Sequence, residues 1–97
     1  MITHIVFFKL AEPTADNIGR TKELLESMAG KIPQLQYLEV GADIIRSERS
    51  YDLALTTKFA SMDDLQAYQV HPYHAGTIIP HMKAVSSSVV AVDYQSA

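Results

Sequence analysis

Apolar residues crowd the chain from its second residue on. Ile2 to Leu10, ITHIVFFKL, is rich in β-branched and aromatic side chains and is closed by Ala11-Glu12-Pro13, which predicts a strand. The period then lengthens: Ile18, Leu25, Met28 and Ile32 recur at roughly helical spacing, Leu24 widens the stripe, and Thr14 or Asp16 is placed to cap the first turn. Gly30 offers a left-handed ending and Pro33 blocks continuation. Leu35 to Ile45 reads as a second strand, with Gln36, Leu38, Val40, Ala42 and Ile44 on one face. The polar segment Arg46-Ser47-Glu48-Arg49-Ser50 suits a hairpin connection to a third strand, Tyr51 to Phe59, in which Leu53, Leu55 and Phe59 alternate.

Ser61, followed by Asp63 and Asp64, marks the start of a second helix whose buried stripe opens with Leu65 and Tyr68. Pro72 disfavours helical geometry at His71, so the helix should break at Val70-His71 and restart near Tyr73, with Ala75, Ile78, Ile79 and Met82 inward. Pro80 should weaken the last turn, and Val85 to Tyr94 supplies a fourth strand.

The resulting order, β-α-β-β-α-β, predicts an α+β fold: a ferredoxin-like split βαβ protomer, with a four-stranded antiparallel sheet and the helices on one face. The uncovered face should then be polar. Instead the first strand carries Ile2, His4, Val6, Phe8 and Leu10 on one side and Ile5 and Phe7 on the other, and the fourth carries Val89 and Ala91 against Val90, Val92 and Tyr94. The simplest cover for a second apolar face is a second copy of the chain, giving a homodimer through the open sheet face.

Composition fits this picture and narrows it. Residues 1–97 are expected to form one domain, small enough to bury only about two-thirds of its unfolded surface, which favours oligomerisation. A content of 47% hydrophobic and 20% charged residues is that of an ordinary globular chain. The absence of cysteine excludes disulfides, thiolate metal sites and a cysteine nucleophile. With a net charge of −3 and 8 scattered Lys and Arg residues, no basic stripe is available for a phosphate backbone, so no nucleic-acid partner is expected. No apolar run approaches the ~18 residues of a membrane span, and the start lacks signal-peptide character, which makes the cytoplasm the expected location and a membrane partner unexpected.

Chemistry concentrates on histidine and tyrosine. His4 shares its parity with Val6 and Phe8 and should face the layer under the helices, either as a core histidine bonded to a neighbour or as part of a pocket. His71-Pro72-Tyr73-His74 holds two imidazoles three residues apart across a break that follows Tyr68. Two readings stand: His71 and His74 cap the helices on either side, or His74 and Tyr68 face one cavity with His4. In the second, a histidine moving a proton beside a tyrosine suits enolisation, isomerisation or aldol-type cyclisation. His71, Val6, Phe8, Leu53, Leu55 and Ile78 would then line the ligand site. The histidine spacing lacks the regular helical pitch of HExxH, so no metal site is expected, and His81 reads as a solvated surface residue. Gly41 and Gly76 are isolated and form no phosphate-cradling loop.

The segments THIVFFKL, IPQLQYLEVGADI, YDLALTTKFASMDDLQAYQVHPYHAG and VVAVDY resemble the stress-responsive A/B barrel domain family, Dabb, within the dimeric α+β barrel superfamily, and HPYH is the most specific part. The resemblance spans nearly the whole chain. It implies a homodimer with sheets packed face to face and a cavity in each protomer between sheet and helices. Some plant members are polyketide cyclases, and by similarity their histidine and tyrosine positions fall on His4, Tyr68, His71 and His74, with His74 as general base and Tyr68 polarising a carbonyl.

The leading expectation is therefore a small-molecule pocket protein for an apolar or aromatic ligand, acting without a cofactor as a lyase, cyclase or isomerase. Two alternatives accompany it: a non-enzymatic stress-response or assembly protein, and an enzyme resembling the cofactor-free monooxygenases of the wider superfamily.

Overall fold

The computed structural model describes residues 1–97. The chain runs β1 (Ile2–Leu10), α1 (Ala15–Glu26), β2 (Tyr37–Ala42), β3 (Leu53–Phe59), α2 (Met62–Val70), a π-helical turn (His74–Ile78), α3 (Ile79–Val85) and β4 (Ser86–Gln95). The strands form one antiparallel sheet in the order β2-β3-β1-β4, the ferredoxin-like β-α-β-β-α-β arrangement predicted from the pattern.

The sheet register decides which residues meet under the helices. His4 lies opposite Thr57 on β3 and Asp93 on β4, Val6 opposite Leu55 and Ala91, and Phe8 opposite Leu53 and Val89. Because side chains alternate across a strand, all of these point to the helix side. There Val6, Phe8, Leu53 and Leu55 join Leu25, Met28, Phe59, Leu65, Tyr68, Ile78 and Met82 in one buried cluster. Burying each large apolar side chain stabilises the fold by about 1.5–3 kcal/mol.

Local chemistry sets the helix ends. Thr14, not Asp16, caps α1 by accepting the Asn17 N–H at 3.1 Å, and Ser61 caps α2 through the Asp64 N–H at 3.2 Å. The apolar stripe overstates α1, which ends at Glu26, while Met28 and Ile32 are buried from the irregular turns beyond it. Gly30 takes the left-handed φ of 77° in those turns.

The second strand is shorter than its apolar alternation suggests. Pairing stops at Ala42 opposite Leu53, and Ile44 is left 89% exposed. The reason is a polar clamp. The Asp43 carboxylate accepts the Arg46 N–H at 2.6 Å, with Arg46 at φ 60°. Buried Asp52 then accepts both the Arg46 guanidinium, at 2.8 Å, and the Leu10 N–H, at 2.7 Å. The third strand accordingly begins at Leu53, two residues later than its pattern suggests.

A second departure concerns the break after α2. Ala75, expected inward, is exposed, whereas His74 is half-buried and Ile78 buried. The wider π turn explains it: its i→i+5 bonding, seen from the Ile79 N–H to the His74 carbonyl, turns the chain less per residue and brings His74 to the side of Ile78. Pro80, expected to weaken a last turn, instead lies in the first turn of α3, where its missing N–H is tolerated.

Candidate functional site

The helices cover β1, β2 and β3 but leave the inner side of β4 bare, and a cleft of ≈ 380 Å³ opens between that strand and the helix layer. His4, Val6 and Phe8 from β1 and Leu55 from β3 form its floor, while Tyr68, His74, Ile78 and Met82 form its roof. Val89 and Ala91 of β4 line it too and are exposed, so β4 is the mouth.

Of the residues singled out from sequence, His4, Tyr68, His74, Val6, Phe8, Leu55 and Ile78 thus line one cleft. His71 and Leu53 do not. Leu53 is buried in the core, and the His71 Nδ1 accepts the Tyr73 N–H at 3.1 Å, capping the segment that restarts with Pro72. The Tyr73 hydroxyl lies 2.5 Å from the Ser27 hydroxyl, tying the break to the end of α1. His81 is exposed.

Both cleft imidazoles lie near the Tyr68 ring, whose centroid is 4.3 Å from that of His74 and 6.3 Å from that of His4. His74 donates from Nδ1 to the Gln69 carbonyl at 3.1 Å, since a carbonyl oxygen can only accept. Its Nε2 therefore keeps a lone pair. Burial holds the His74 pKa below the ordinary histidine value; the Gln69 bond opposes this, and proximity to His4 and His71 adds to it. His74 is accordingly neutral, and basic at Nε2, at neutral pH.

The Tyr68 hydroxyl takes a different direction from the one its residue type suggested. It donates to the Met28 thioether at 3.6 Å, within the core and outside the cleft lining, and burial pushes its pKa well above the ordinary phenol value. What Tyr68 presents to the cleft is its ring.

His4 donates from Nδ1 to the Asp93 carboxylate across the β1–β4 pair. Asp93 was not singled out from sequence. A signal existed, because Asp93 continues the parity of Val89 and Ala91 and so shares the side of His4 once β1 and β4 are paired. No group of three or more His, Cys, Asp or Glu side chains is arranged to hold a metal ion.

A ferredoxin-like α+β sheet with a two-histidine cleft under its helices defines the class. Residues 2–96 match the Stress responsive A/B Barrel Domain, and the chain belongs to that family. It is 29% identical over 101 residues to a stress-response A/B barrel domain-containing protein of Arabidopsis thaliana, covering 97% of this chain but 36% of that protein. The chain thus spans about a third of the length of that relative. Among solved structures it is similar to a dimeric ferredoxin-like protein of unknown function from Thermobifida fusca, with a TM-score of 0.85 and 27% identity, covering 98% of this chain and 90% of that one. A hydroxynitrile lyase from Passiflora edulis shares the fold, with a TM-score of 0.81 and 15% identity, covering 96% of this chain and 90% of that one. No helix of the chain is long and apolar enough to cross a membrane.

Proposed function

We propose that this protein is an acid–base catalyst for small carbonyl compounds, a lyase, cyclase or isomerase that works without a cofactor and functions as a homodimer. The observation that carries the reading is the pair of imidazoles facing one mostly apolar cleft, each with Nδ1 bonded to a fixed acceptor and Nε2 left for a ligand. His74 is the base. Its Nε2 removes a proton from the carbon beside a carbonyl, and Nε2–H of a protonated His4 donates to the carbonyl oxygen, which yields the enol and a neutral His4. Return of a proton to carbon, or attack of the enol on a second carbonyl, completes an isomerisation or a cyclisation.

Tyr68 serves this chemistry as an aromatic wall beside the two histidines. Val6, Phe8, Leu55 and Ile78 exclude water and favour an apolar or aromatic ligand. A hydroxynitrile lyase built on the same fold makes lyase chemistry a reasonable use of such a frame, and the dimeric ferredoxin-like relative supports the homodimer.

Acetophenone in heavy water is a suitable probe, because abstraction beside its carbonyl exchanges methyl hydrogen for deuterium. The wild-type protein should exchange it faster than free imidazole at equal concentration. His74→Gln should lower the rate on the order of 10²-fold or more, whereas Tyr68→Phe should leave it within a few-fold. Exchange no faster than free imidazole, or unaffected by His74→Gln, would overturn the reading.

A further inference from the structure

Asp93 has no place in the proton transfers above, yet it is the one carboxylate bonded to a cleft imidazole. Its position is set by backbone pairing: Asp93 stands directly opposite His4 in the antiparallel register of β1 and β4. Cross-strand neighbours on one face are within side-chain reach, so the bond needs no loop to hold it. The Asp93 side chain is 42% exposed while that of His4 is 11% exposed, so the carboxylate reaches solvent while the imidazole it holds is covered.

A neutral imidazole carries one N–H and one lone pair, and the partner of one nitrogen decides which atom keeps the proton. A carboxylate accepts only, which places the proton of neutral His4 on Nδ1 and leaves the lone pair on Nε2. His74 reaches the same state through the Gln69 carbonyl. The second partners differ in charge: a proton taken up at His4 Nε2 creates a cation beside a carboxylate, whereas one taken up at His74 creates a cation backed only by a neutral carbonyl.

We infer that Asp93 is a positioning residue that fixes the His4 tautomer and, by the charge it holds beside that ring, distinguishes the acid-bearing histidine of the cleft from the base. The inference deepens the acid–base reading and rests on it for its functional consequence, while the tautomer itself is open to measurement without any substrate.

Nitrogen-15 NMR of the imidazole nitrogens above the titration range reports which nitrogen carries the proton. His4 should show Nδ1–H in the wild-type protein. Asp93→Ala should move His4 toward Nε2–H, and Asp93→Asn, whose amide oxygen still accepts, should restore the wild-type tautomer. His74 should be unchanged in both variants, which also reports that the cleft remains folded. With acetophenone, Asp93→Ala should lower kcat on the order of 10–100-fold, with KM within a few-fold. Asp93→Asn should remain impaired, because it restores the tautomer and not the charge.

A His4 tautomer that does not change in Asp93→Ala overturns the inference, as does full activity in that variant. Absence of exchange in the wild-type protein strikes the acid–base reading instead, and is distinguishable because the NMR result stands apart from turnover.

Discussion

The two faces of the sheet are built from the same strands and neighbouring residues, yet they meet opposite environments. On the inner face Val6, Phe8, Leu53 and Leu55 are buried under the helices. On the outer face Phe7 is 43% exposed, Val92 54% and Tyr94 47%, and these side chains continue across β1 and β4 as Phe7 opposite Val90, Ile5 opposite Val92 and Thr3 opposite Tyr94. A face of β-branched and aromatic side chains this continuous is unusual on a surface that stays in water. The inner face of β1 and β3 is covered within one chain; the outer one is complementary to another apolar sheet. In the proposed function, binding chemistry and assembly would occupy opposite sides of β1, one residue apart.

The comparison breaks most readily at Val92. A two-fold interface repeats every substitution, so Val92→Asp places two unpaired carboxylates in the contact. The dimer should weaken roughly 10³-fold or more. Sedimentation over a dilution series checks this, and a dimer that survives would show that the outer face is not the interface. Within the chain, the sharper test contrasts neighbours on β3. Leu55→Ala should lower unfolding free energy by about 2–5 kcal/mol, whereas Thr56→Ala on the outer face should change it by about 0.5 kcal/mol or less. Urea denaturation of both variants in the Val92→Asp background reads the two faces without the dimer. Similar losses for both would remove the distinction.

The smallest effect concerns pH. Burial lowers the His74 pKa in the folded chain, so the unfolded chain binds the proton more readily. The stability associated with neutral His74 is present in full above the ordinary value of about 6.5 and is lost as pH falls through the lower folded value. His74→Gln should therefore flatten the decline in melting temperature below about pH 6.5. An unchanged slope would show that His74 does not titrate differently in the two states.

Much of the fold was legible because periodicity reports which side chains share a face. The strand pattern of ITHIVFFKL, the break at Pro72 and the double apolar character of β1 and β4 follow from local geometry alone. The misreadings have a common origin. Ile44 belongs to an alternating run that outlasts its pairing partner, and only the Asp43, Arg46 and Asp52 clamp ends the strand. Ala75 was placed by an α-helical period where the chain adopts a π turn.

The site divides in the same way. The residue types at His4, Tyr68 and His74, and the parity that turns His4 inward, were present in the chain as written. Which atoms those residues offer was decided by tertiary contacts: Met28 takes the Tyr68 hydroxyl, Tyr73 occupies His71, Gln69 orients His74, and Asp93, remote in sequence, reaches His4 through the β1–β4 register. Sequence determines which side chains can carry a proton and which face they share, because both follow from covalent structure and local period. The partner of each ring nitrogen depends on which strands and helices pack together, and that is settled only when the chain has folded.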